Sequence, residues 1–108
     1  MMTYNFGEIL LMRFPFTDSS RLSKRPAVVL YDGGDLDILL CRVTTQPHFS
    51  FTDFKVTDWR IGGLLRESYV RVEKMATLEK DIISRKLGKL VPEDINKIKK
   101  ILKNMFDI

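Results

Sequence analysis

The residues of this chain best suited to chemistry are an arginine, a threonine and a charged pair two positions apart. Arg25 stands in Lys24-Arg25-Pro26-Ala27-Val28-Val29-Leu30-Tyr31, where two cations and a proline run straight into four apolar residues and a tyrosine. Pro26 lacks an N–H and has a fixed φ, which suits the first residue of a strand; the aliphatic run after it suits a strand covered on both faces. A guanidinium at so rigid a junction is placed to grip a phosphate or a carboxylate as a bidentate fork. The other reading is a plain surface arginine at a strand start. Thr44 belongs to Arg42-Val43-Thr44-Thr45-Gln46-Pro47. Alternation puts Arg42 and Thr44 on one face and Val43 and Thr45 on the other, so the strand leaves the core with hydroxyls at its end. Threonine is also simply a good strand former. Arg71 and Glu73 share one strand face, and an ion pair is the expected fate of such a pair.

Other chemistries are excluded by what the chain lacks. His48 is its one histidine, so no two-histidine acid/base pair can form. The lone Cys41 cannot make an internal disulfide, and without a C-x-x-C or Cys/His cluster neither a structural zinc nor any other cofactor is expected. With 108 residues, 44% hydrophobic and 30% charged, residues 1–108 read as one soluble domain with a single core. No segment approaches the roughly 18 consecutive apolar residues of a membrane span, and Met1 to Tyr4 show no signal-peptide pattern. The expectation is a cytoplasmic protein with no membrane partner. The net charge of +4 is unevenly spread: Met1 to Glu73 carries nine Lys/Arg, seven of them Arg, against nine Asp/Glu, and Lys74 to Ile108 carries nine against five. A lysine-rich terminal third reads as a solvated helix face. A neutral body rich in arginine fits planar recognition of phosphates or carboxylates.

These side chains need strands to hold them. Gly7 to Phe14 reads as an apolar strand ending at Pro15, and Thr17 to Lys24 as a mobile polar loop of the kind that carries function. The Arg25 strand follows, then a turn at Asp32-Gly33-Gly34-Asp35 and a third strand from Leu36 to Thr45. His48 and Phe49 to Phe54 read as a loop or short edge segment, Lys55 to Asp58 as a short strand, and Gly62-Gly63 as a turn without phosphate-loop context. Arg66 to Met75 alternates with period two, Thr77 to Ile83 reads as a turn or short helix, and Ile83 to Leu90 as a last strand. Pro92 at a first helical position, Glu93 and Asp94 in the first turn, and Ile95, Ile98, Ile101, Leu102, Met105 and Phe106 make an amphipathic helix. The fold expected is mainly β, a small, strongly bent antiparallel barrel with a C-terminal helix.

In order along nearly the whole chain, Gly7-Glu8-Ile9, Phe14-Pro15-Phe16-Thr17-Asp18, Lys24 to Leu30, Val43-Thr44-Thr45-Gln46, Gly63-Leu64 with Glu67-Ser68, and Thr77-Leu78 resemble the PemK/MazF growth-inhibitor toxins. The resemblance implies an SH3-like barrel, a homodimer, and a metal-independent endoribonuclease that cuts single-stranded RNA and is neutralised by a cognate antitoxin protein. By position, Arg25 and Thr44 match the active pair of one branch, and Arg71 and Glu73 match the arginine and acid of the other. That branch's loop histidine is replaced at about Ser19, and an arginine usual just before Thr77 is Ala76.

The chemistry implied is attack of a ribose 2′-OH on the adjacent phosphate, with Arg25 and Thr44 donating to oxygens on which charge grows. Glu73, Asp18 and water are the candidates for taking the 2′-OH proton. Phe16, Asp18, Ser19, Lys24, Gln46 and Ser68 are the candidate RNA contacts, with Phe16 as a stacking surface for an unpaired base. The alternative class is a binding module: a barrel that no longer cuts, or a relative that poisons gyrase, since a fold alone does not decide function.

Overall fold

The computed structural model describes residues 2–15 and 22–108. Six strands, β1 (Glu8–Pro15), β2 (Leu22–Tyr31), β3 (Asp37–Thr44), β4 (Asp53–Lys55), β5 (Tyr69–Glu79) and β6 (Ile83–Lys89), precede one helix, α1 (Pro92–Phe106). The strands form one antiparallel sheet in the order β4-β5-β3-β2-β1-β6. The expected class, mainly β with a C-terminal helix, is the one found. Among the described residues no ladder closes the sheet into a barrel, and β4 and β6 are its edges.

Both faces of the sheet are buried, which is why its central strands read as continuous apolar runs rather than alternating ones. Successive residues point to opposite faces. Ile9, Val28, Cys41, Val43, Val70 and Val72 pack on one side with Ile98 and Ile101 of α1. Leu10, Met12, Ala27, Val29, Ile38 and Leu40 form a second core on the other. Ile98 is fully buried, and cutting it to alanine would cost about 3 kcal/mol in lost contact and residual cavity. Asp94, expected only as a first-turn charge, is itself fully buried. Its carboxylate accepts the Thr57 N–H at 2.9 Å and the Thr57 hydroxyl at 2.6 Å, pinning the β4–β5 connection to α1.

Several boundaries differ from the sequence reading, each for a reason of pairing. β2 begins at Leu22, so Pro26 is an interior strand residue and Leu22 to Lys24 are not loop. Proline is tolerated there because β3 joins only from Ala27, opposite Arg42, leaving one edge of β2 unpaired at Pro26. Thr77 to Glu79 continue β5 because Ile38 and Asp37 of β3 pair with Leu78 and Glu79; the turn comes afterwards, as a 3₁₀ turn at Lys80–Ile82. The short strand expected at Lys55 to Asp58 lies earlier, at Asp53–Lys55. Between Cys41↔Met75 and Arg42↔Arg71 the register of β3 on β5 slips, so Val72, Glu73 and Lys74 leave the ladder. A strand that carries extra residues bends and twists there.

Candidate functional site

Strand pairing assembles the candidate residues in two adjacent cross-strand rows. Met12 lies opposite Arg25 and Thr44 opposite Tyr69, while Ala27 lies opposite Arg42 and Arg42 opposite Arg71. Arg25 and Thr44 each lie two residues beyond Ala27↔Arg42, the last pair of the β2–β3 ladder. Alternation puts Arg25, Arg42 and Thr44 on the same side as Ala27 and Leu40, the face turned away from α1.

At the end of that face, Arg25, Arg42, Thr44, Gln46, Ser68 and Lys24 line a cavity of about 270 Å³. Thr44 Oγ1 accepts the Gln46 N–H at 3.1 Å, which fixes the strand exit and leaves the threonine proton to point elsewhere. Ser68 is buried, and its hydroxyl donates to the Arg66 carbonyl at 2.8 Å, so it holds the wall rather than reaching outward.

Two further cavities adjoin this one. The first, of about 470 Å³, shares Arg25, Pro26 and Arg42 and adds Lys74 above an apolar floor. The second, of about 220 Å³, shares Lys24, Thr45 and Ser68 and adds Arg66 and Arg85. It is shaped by Gly63, whose φ of +77° suits glycine and whose Cα lies so close to the Leu87 carbonyl that any Cβ would overlap it. Six cations thus border one groove, Lys74, Arg42, Arg25, Lys24, Arg66 and Arg85, and among the described residues neither a carboxylate nor an imidazole lines any of its three parts. Among the described residues none of the ion pairs engages these cations. Such a surface is the electrostatic footprint of a polyanion.

The ion pair expected between Arg71 and Glu73 does not form. Arg71 Nε donates to Asp53 Oδ1 at 3.3 Å, across the β4–β5 ladder, and the Asp53 side chain is 1% exposed. Glu73 instead accepts the Thr52 hydroxyl at 2.8 Å, and Thr52 in turn meets Ser50 at 2.7 Å. Both members of the second pair are held by the β4 edge, and neither lines the groove. Phe16, Asp18 and Ser19 lie outside the described residues. Burial pushes the Cys41 thiol up to about 12, so it stays protonated and unreactive. Among the described residues no group of three or more His, Cys, Asp or Glu converges as a metal site, and no helix is long and apolar enough to cross a membrane. The sequence reading missed Arg42, Arg66, Lys74 and Arg85 as groove residues; the surplus of arginine before Glu73 pointed toward Arg42 and Arg66, and alternation placed Arg42 on the face of Thr44, but Lys74 and Arg85 gave no such signal.

A family model described as PemK-like, MazF-like toxin of type II toxin-antitoxin system matches residues 5–106. No curated protein sequence matches the chain. Among solved structures, an endoribonuclease in complex with its cognate antitoxin from Mycobacterial species is similar at 19% identity and a TM-score of 0.75, over 95% of this chain and 94% of that one. The Mycobacterium tuberculosis toxin MazF-mt6 is similar at 19% identity and a TM-score of 0.74, over 94% of this chain and 97% of that one. MazE-MazF from Deinococcus radiodurans is similar at 15% identity and a TM-score of 0.77, over 100% of this chain and 99% of the matched one. These likenesses show a shared fold.

Proposed function

Because this chain belongs to the PemK-like, MazF-like toxin family of type II toxin–antitoxin systems, we propose that it is an endoribonuclease that cuts single-stranded RNA without a metal. The observation that carries this reading is the cavity that Arg25 and Thr44 both line, in a groove bordered by cations with no carboxylate among its described residues. In the reaction, the 2′-oxygen of a ribose attacks the adjacent phosphorus, a P–O2′ bond forms, and the P–O5′ bond breaks. The 2′-OH proton passes to water, Asp18 or Glu73, the described residues that line the cavity including neither an acid nor an imidazole, and the departing 5′-oxygen takes a proton from water. The products are a 2′,3′-cyclic phosphate and a 5′-OH. Arg25 grips the non-bridging oxygens with two parallel N–H donors, and the Thr44 hydroxyl adds a third, so charge growing on phosphate meets donors already in place.

Single strands are the substrate class because in-line attack requires a nucleotide splayed out of A-form stacking. The natural partner would be a small acidic antitoxin whose carboxylates occupy the same cations, as toxin and antitoxin are paired in the similar mycobacterial and Deinococcus structures. The test compares variants on one RNA. Arg25→Lys and Thr44→Val should each lose about 10²–10³ in rate with an unchanged melting temperature. Full activity in both, with loss confined to Arg71→Ala or Glu73→Ala, would move the chemistry to the second pair.

A further inference from the structure

We propose that the apolar cavity beside Arg25 and Arg42 is a pocket for one unstacked keto base, guanine or uracil, of the RNA cut in the neighbouring cavity. This deepens the endoribonuclease reading and rests on it. At about 470 Å³, the cavity has the size range of small-ligand sites. It exists because β5 leaves the ladder between Arg71 and Met75, opposite Arg42 and Cys41, and because Ala76, opposite Leu40, leaves room that a larger side chain would fill. Ala27, Leu40, Cys41 and Met75 make an apolar surface for a base plane, and Lys74 joins Arg25 and Arg42 as its polar groups.

Among the described residues no side-chain oxygen lines this cavity. Arginine and lysine donate hydrogen bonds and accept none. Guanine offers O6 and N7, and uracil offers O4, to such a wall; adenine and cytosine put an amino donor where these bases carry oxygen. An amino group turned toward these cationic side chains would be stripped of water with no acceptor among them, which is the costly half of hydrogen-bond exchange. Because Arg25, Pro26 and Arg42 border both cavities, a base in one and the scissile phosphate in the other belong to the same stretch of strand. Arg42 is then a specificity-determining residue, reading the base while Arg25 holds the phosphate.

The experiment measures binding of 2′-O-methyl hexamers of uracil, hypoxanthine, adenine and cytosine, which cannot be cut, by fluorescence anisotropy at fixed salt. Uracil and hypoxanthine hexamers should bind at least about tenfold tighter than the other two, the scale of one unsatisfied polar group. Arg42→Leu, which removes the donors, and Ala76→Trp, which fills the cavity, should each bring the four hexamers within about twofold. Equal binding of all four by the wild-type protein, or a keto preference surviving in both variants, would overturn the pocket. A protein with the keto preference that cuts no RNA would retain the pocket and overturn the endoribonuclease reading.

Discussion

At the scale of the residue, the two members of the proposed active pair differ in how much of their chemistry can be replaced. In the proposed reaction Arg25 would act through a planar fork that lysine lacks. Thr44 would act through a hydroxyl that serine keeps, together with its acceptance of the Gln46 N–H. Thr44→Ser should therefore recover most of the cleavage rate that Thr44→Val loses, a rescue that a purely structural threonine would not show. Arg71→Ala should instead cost stability. It leaves the Asp53 carboxylate, 1% exposed, without its cation and with only the Ser50 N–H at 3.2 Å, and breaking a buried pair on one side costs up to about 3 kcal/mol; denaturant unfolding would detect it. Activity lost in that variant at unchanged stability would contradict a structural role for the Arg71–Asp53 pair. Arg25 and Thr44 were legible in the sequence because an Arg-Pro step and a hydroxyl at a strand end are local patterns. Lys74, Arg66 and Arg85 were not, and Arg42 only as a residue on the face of Thr44, because what makes them groove residues is which strand lies beside which, and no spacing along the chain encodes that.

At the scale of the element, the sequence announced α1 most clearly, through Pro92, two acids and a 3.6-residue apolar stripe. It announced β2 and β5 least well, because their lengths depend on partners: β2 is prolonged by β1 through Pro15↔Leu22, and β5 by β3 through Asp37↔Glu79. The β2–β3 turn is tied down by a buried ion pair, Lys80 Nζ to Asp32 Oδ1 at 2.8 Å. Burial alone would raise the Asp32 pKa, but hydrogen bonds from Lys80, Tyr4 N–H and Gly34 N–H prevail and hold it below its ordinary 3.8. Glu8 behaves alike: burial raises it, yet the Asn5 N–H and Lys86 hold it below 4.5. A folded-state pKa lowered in this way means that the unfolded chain takes up protons first as the pH drops. The stability from these two groups is fully present above their ordinary values and is lost as the pH falls through the lowered ones. Urea unfolding between pH 7 and about pH 2 should show this loss, and Asp32→Asn should flatten it while lowering stability at neutral pH. An unchanged profile in that variant would remove Asp32 from the explanation. Gly63→Ala should be destabilising too, since its Cβ has no room against Leu87.

At the scale of the whole molecule, the sheet divides labour between its faces: α1 covers one, and the other ends in the groove. The mainly-β class followed from many short apolar segments before a single amphipathic one, but the slip of β3 on β5 that opens the larger cavity is a property of the assembled sheet. We further propose a symmetric homodimer, with RNA bound across or beside its interface. Size-exclusion chromatography with light scattering should give twice the 12.6 kDa of the chain; a monomer at concentrations on the order of tens of micromolar would contradict it. The central claim is that the ribose 2′-OH cuts the strand while Arg25 and Thr44 stabilise the charge growing on the phosphate. The most direct measurement is end-group analysis of single-stranded RNA incubated with the pure protein in excess EDTA. The predicted result is cleavage leaving a 2′,3′-cyclic phosphate and a 5′-OH, abolished when the ribose preceding the cut is replaced by deoxyribose. Cleavage that needs Mg²⁺, or that releases 5′-phosphate ends, would contradict it.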